Sequence, residues 1–212
     1  MKAPVIAIEL RAHAPFTAFG TMTGIVIMAA FIQFHVSRNV SGTLFWIFHP
    51  LHVLLSAWVT TAMYRNHAAG GWLRTLIIGY VGSVGIATLS DSLMPFVGEW
   101  LLDLPNRGVH VGFIEKWWLV NPLAFAGIGL GYLLSHTKIS HAGHVLLSTW
   151  ASLFHIMMAL ETSIDVVTII LVYVFLFLAV WVPCCTSDII FPLLWIDKNS
   201  RNDLNDSHGG AQ

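Results

Sequence analysis

Residues 49–58 read HPLHVLLSAW and residues 141–150 read HAGHVLLSTW, agreeing at seven of ten positions: two histidines, Val-Leu-Leu, Ser and Trp. A second pair, SDSLMP at 90–95 and SDIIFP at 187–192, keeps Ser, Asp and Pro in register. The offsets of 92 and 97 residues put both matches in one internal repeat with a short length change. Ala18-Phe19-Gly20 and Ala124-Phe125-Ala126 form a weaker echo in the first segment of each half. Self-similarity at a fixed offset indicates a duplicated unit.

Around these motifs the chain is oily. Of 212 residues 56% are hydrophobic and 10% charged, with mean hydropathy +0.73. A soluble domain carries roughly 25% charged residues. The composition argues against a soluble enzyme, a nucleic-acid binder and a disulfide-built secreted domain. Ten Lys+Arg against 11 Asp+Glu leave a formal charge of -1, so no global field selects a polyanion. The two cysteines, Cys184 and Cys185, are adjacent and cannot staple distant segments.

A helix crossing the hydrocarbon needs about 20 largely apolar residues. The sequence predicts six such spans: Phe16–His35, Thr43–Tyr64, Thr75–Gly98, Trp118–Ser135, Ser140–Leu160 and Val166–Trp195. The expected fold is thus an all-α integral membrane protein of six transmembrane helices, arranged as two inverted three-helix repeats. Residues 1–15 read as an interfacial lead-in, 16–100 as the first repeat, 101–117 as the connecting loop, 118–196 as the second repeat and 197–212 as a disordered polar tail. Lys2, Glu9 and Arg11 without a small-residue cleavage site argue against a cleaved signal peptide. Three spans per repeat is an odd number, so the second half enters the membrane from the opposite side. Inverted repeats of this kind are frequent in secondary transporters, with sites where the halves meet.

Positive charge sets the orientation. Lys2, Arg11, Arg65, Arg74, Lys138, Lys198 and Arg201 fall on one side; Arg38, Arg107 and Lys116 fall on the other. Seven against three favours both termini in the cytoplasm, and the expected location is a bacterial inner (plasma) membrane. Trp46, Trp72, Trp100, Trp117, Trp118 and Trp195 lie near span ends, where indoles anchor. Glu99, Asp103 and Glu115 read as solvated charge at the outer interface. Pro183 predicts a kink or break in the last span.

The chemistry sits in the repeat. His49 and His52 share a helix face, and Asp91 returns to a comparable depth on the next span. His141, His144 and Asp188 form the corresponding set toward the cytoplasm. Two imidazoles and a carboxylate with open positions suit a divalent transition metal, Zn²⁺ or Fe first, with Mn or Ni as further options. An aspartate at a span centre costs about 2.5–3.5 kcal/mol on insertion scales, so it persists beside a partner, an ion or a water-filled cavity. The sites read as metal: His49, His52, Asp91, His141, His144 and Asp188. Ser56, Ser90, Ser148 and Ser187 read as hydrogen-bond partners for them.

Plainer roles compete. Intramembrane His and Asp also tie helices together, at roughly 0.6–2 kcal/mol per link. His155 either extends a polar track along the fifth span or bonds across helices. Cys184 and Cys185 read as inert, because their repeat counterparts are Ala87 and Thr88. The glycines of the third and fourth spans read as packing positions, and Trp58 and Trp150 as core. The HxxH pairs lack the HExxH of zinc proteases and the HxxxH boxes of membrane desaturases.

The first functional expectation is binding and proton-linked movement of a metal cation, through an outer His49/His52/Asp91 site and an inner His141/His144/Asp188 site. The alternatives are a membrane metalloenzyme acting on a lipid or quinone, and a b-type haem electron-transfer subunit. Expected partners are the metal ion and the bilayer, with no nucleic acid. Homo-oligomers or membership of a larger membrane complex fit so small a chain.

Overall fold

Side chains are distributed inside out for water. Large apolar groups face outward along the helices, among them Phe19, Val26, Ile77, Val81, Leu133, Val167 and Ile170. The interior holds Thr17, Thr21, His49, His52, Ser56, Ser90, Asp91, Glu99, His144, Ser148, Ser152 and His155. A soluble protein would expose that polar set and bury the apolar one. The pattern is compatible with a membrane protein.

The computed structural model describes residues 3–67, 71–134, 138–160, 165–185 and 191–195, all-helical with no strand among them. The helices are α1 (Ala3–Gln33), α2 (Arg38–His67), α3 (Trp72–Leu101), α4 (Gly112–Glu115), α5 (Trp117–Leu133), α6 (Lys138–Ala159), α7 (Val166–Cys185) and α8 (Phe191–Leu194). Five of them, α1, α2, α3, α6 and α7, are long and apolar enough to cross a membrane. The fourth predicted span is α5, whose 17 residues rise about 25 Å, short of a hydrocarbon core of about 30 Å. No break separates residues 3–15 from the first span, because α1 runs through Pro15. The last predicted span is helical to Cys185, and Pro183 stands inside that helix.

At the centre α2 lies against α5 and α6, while α6 also touches α1 and α7. Small residues permit these approaches. A methyl group on Gly127 would strike the Leu54 carbonyl, and one on Gly131 would come within 2.6 Å of the Trp58 carbonyl oxygen. This small-xxx-small spacing lets α5 and α2 touch backbone to backbone. The packing role expected of the glycines in the third and fourth predicted spans holds for Gly79, Gly82, Gly127 and Gly131, whereas Gly85 and Gly129 face open space. Two tryptophans bind the layers crosswise: Trp58 Nε1 donates to the Leu134 carbonyl at 3.2 Å, and Trp150 Nε1 to Thr23 Oγ1 at 3.3 Å. Two apolar clusters flank the polar interior, one around Phe45, Leu153, Leu176 and Val180, the other around Val53, Val84, Val120 and Ala124.

Two π-helical turns, Val81–Gly85 and Leu89–Leu93, interrupt α3. Pro95 accounts for the second. It has no N–H to give the Asp91 carbonyl, and its ring would press on that oxygen in a regular turn. The widened turn buries three successive polar residues, Ser90, Asp91 and Ser92, against different neighbours. Such turns are frequent at functional sites.

Candidate metal and proton site

Asp91 is an acceptor for four donors. His49 Nδ1 and His52 Nδ1 donate to Oδ2 at 3.0 and 2.7 Å; Ser90 Oγ and Ser148 Oγ donate to Oδ1 at 2.7 and 2.8 Å. A carboxylate only accepts, so both imidazoles carry hydrogen on Nδ1 and offer Nε2 for other work. Carboxylate–histidine pairing of this kind orients imidazole ligands toward metals. Ser152 Oγ donates to the Ser90 carbonyl at 3.0 Å and fixes the widened turn to α6.

The sequence reading gathers His49, His52 and Asp91, and the fold brings them together. Of the second set only His144 has a described side chain, and it lies beside the first set. The His144 ring stacks on His52 with centroids 5.8 Å apart and planes inclined by 17°. Cys184, buried at the end of α7, contacts Ser148 Oγ at 3.5 Å. His52, His144 and Cys184 each bring one ligand atom within 4.8 Å of the others. The side chain of His141, and Asp188 and Ser187 entirely, lie outside the described residues.

Cys184 is the residue the sequence reading set aside, because its repeat counterpart is alanine. The useful signal was its place beside Pro183 at the end of a span facing the histidines. His49 points another way: its Nε2 is buried without a hydrogen-bond partner among the described residues and abuts Gly112.

Glu99 corrects a second expectation. Asp103 and Glu115 are exposed, Asp103 pairing with Arg107 at 3.2 Å. Glu99, by contrast, is 1% exposed and meets His155 Nδ1 at 2.7 Å. Burial follows because α3 turns its last polar residue inward and the connecting loop folds over it, Gly108 N–H donating to Glu99 Oε2 at 3.2 Å. His155 does both things expected of it, standing on the buried face of α6 with His144, Ser148 and Ser152 while bonding across to α3.

No protein-family model, curated protein or solved structure matches the chain.

Proposed function

We propose that this protein binds a divalent transition-metal cation inside its helix bundle and carries it across the membrane. The observation that supports this most is the convergence of His52, His144 and Cys184 within 4.8 Å. Donors around a tetrahedral ion stand about 3.3–3.8 Å apart, given bond lengths of about 2.0–2.3 Å. Side-chain movements of about 1 Å would close the set, leaving a fourth position open for water or exchange.

Charge points the same way. A 2+ ion, a Cys184 thiolate and the Asp91 carboxylate sum to zero, the condition a low-dielectric interior favours. In this reading Asp91 orients the imidazoles, and the metal takes nitrogen and sulfur. That donor set fits Zn²⁺ well and also suits Fe. Stacked rings support a small ion more than a haem, which needs imidazoles opposed across its plane.

The architecture proposed is two inverted three-helix repeats. Residues related by the repeat meet where its axis would pass: His52 stacks on His144, 92 positions later. Contacts away from the axis also correspond. Gly20 on α1 approaches Leu146 and Thr149 of α6, while Gly127 on α5, one position past Gly20's counterpart Ala126, approaches Leu54 and Ala57 of α2, the equivalents of those two residues at the offset of 92. The axis then lies in the membrane plane, with the site between the halves, as in many transporters.

The test is elemental analysis, with a visible spectrum, of protein purified in detergent. Parent protein should hold near-stoichiometric metal that exchanges with added ion, and His52→Ala, His144→Ala and Cys184→Ser should lose it. Unchanged metal content in folded variants would refute the assignment. Metal that is retained but never exchanges would favour a metalloenzyme over a transporter.

A further inference from the structure

A second buried cluster lies apart from the metal-ligand candidates, on the other side of Phe45. That ring stacks on His49 at 5.3 Å and meets His155 near a right angle, also at 5.3 Å, so it stands between the two groups. Beyond it stand Glu99, His155, Ser92 and His110. We infer that Glu99 and His155 form a proton-binding site that exchanges with the connecting-loop face of the bundle through His110. The inference goes beyond the metal reading and stands without it.

The 2.7 Å contact between Glu99 Oε1 and His155 Nδ1 requires one hydrogen between them. With neutral imidazole the pair carries one negative charge, supported by the Gly108 N–H on Oε2. The place for a second proton is His155 Nε2, which lies 3.5 Å from Ser92 Oγ. Ser92 serves either state. Its oxygen already accepts the His110 N–H at 2.9 Å, while its hydroxyl hydrogen remains for a bare Nε2 and its second lone pair for a protonated one. Protonation takes the buried pair from one negative charge to zero.

The path outward is short. The His110 ring meets the His155 ring edge-on with centroids 5.3 Å apart. His110 Nδ1 lies 3.2 Å from Glu115 Oε2, and both side chains are partly exposed, at 33% and 40%. A proton taken from solvent by His110 passes to His155 Nε2, and His110 returns to neutral and reloads. Among the described residues the titratable and charged groups nearest the pair are His110 and Glu115 from the connection, the Asp103–Arg107 pair on the same connection, His49 of α2 behind Phe45, and His35 and Arg38, which share a cavity with Asn106 and Met157. From α7, Phe175 closes on Gly98, with Tyr173 two positions before it.

The experiment uses the full chain, stripped of metal by chelator and held in lipid nanodiscs, with carbon-13 in glutamate carboxyls and nitrogen-15 in histidine rings. Glutamate occurs at four positions, 9, 99, 115 and 161, so Glu99 is assigned by difference. As pH falls, one histidine signal, absent in His155→Gln, should pass from neutral to imidazolium, with the Glu99 carboxyl signal moving in step. In Glu99→Gln that coupled movement should be lost, and in His110→Phe the exchange should slow while its extent stays. A His155 signal fixed in one state over the whole pH range of the folded protein would overturn the inference, as would titration unaltered in Glu99→Gln. If Glu99→Gln does not fold, the labelled parent decides by whether the two signals move together. Because no metal is present, the outcome is separate from that of the metal assignment.

Discussion

Replacing Asp91 by alanine should destabilise the fold severely, and replacing it by asparagine much less. The carboxylate accepts from four groups. After truncation the two serines repair themselves: their hydroxyls are 3.3 Å apart, and Ser90 Oγ also lies 3.4 Å from the Ala87 carbonyl. The two imidazole N–H groups keep no such option. A buried donor left unsatisfied costs about 1–3 kcal/mol, so the pair costs about 2–6. Breaking a buried pair by removing one partner typically costs about 3–5 kcal/mol, and that is the expected loss for Asp91→Ala. For a chain of this length it corresponds to a fall in Tm of about 6–20 °C. Asparagine has an oxygen for both imidazoles and an amide to donate to both serines. It forfeits only the charge assistance of two bonds, about 2 kcal/mol. Reversible unfolding of chelator-treated protein in mixed micelles measures both. A loss under about 1 kcal/mol for Asp91→Ala, or equal losses for the two variants, would refute the four-donor reasoning.

Glycine substitutions in α5 should divide by position. Gly127→Ala drives a methyl into the Leu54 carbonyl and Ala57, at an expected loss of about 1–3 kcal/mol in the same unfolding assay. Gly129→Ala meets open space and should gain up to about 1 kcal/mol from helix propensity. At the start of α7, Asp165 Oδ1 accepts the Thr168 N–H at 2.9 Å. Hydrogen bonds from the Thr168 side chain and then its backbone hold the Asp165 carboxyl below its ordinary value of 3.8. A depressed carboxyl stabilises the fold above its ordinary value and loses that contribution as pH falls through its folded value. Protection of the Thr168 amide, its exchange rate relative to an unstructured amide at the same pH, should therefore fall below pH 3.8 in the parent. In Asp165→Ala that protection should already be low at neutral pH.

Part of this protein was legible in its residues alone. Composition calls for an apolar exterior, because a chain with 10% charge has few groups to cover a surface in water, and the described helices carry one. Helical spacing puts His49, His52 and Ser56 on one face of α2, and His144, Ser148, Ser152 and His155 on one face of α6, since side chains three and four apart stack along a helix. The expectation that Asp91 joins His49 and His52 rested on depth along antiparallel neighbours, and the fold meets it. What periodicity does not fix is the rotation of each helix and the choice of its neighbours. Where every outer face is apolar, no preference for water marks the partner side, and close packing and paired polar groups decide instead. Only that packing brings Cys184 to histidines 40 and 132 positions earlier and stacks His52 on His144. Glu99 shows the limit most plainly. Beside Trp100 at a span end it reads as interfacial charge, and only a loop folding back over α3 makes it a buried partner of His155.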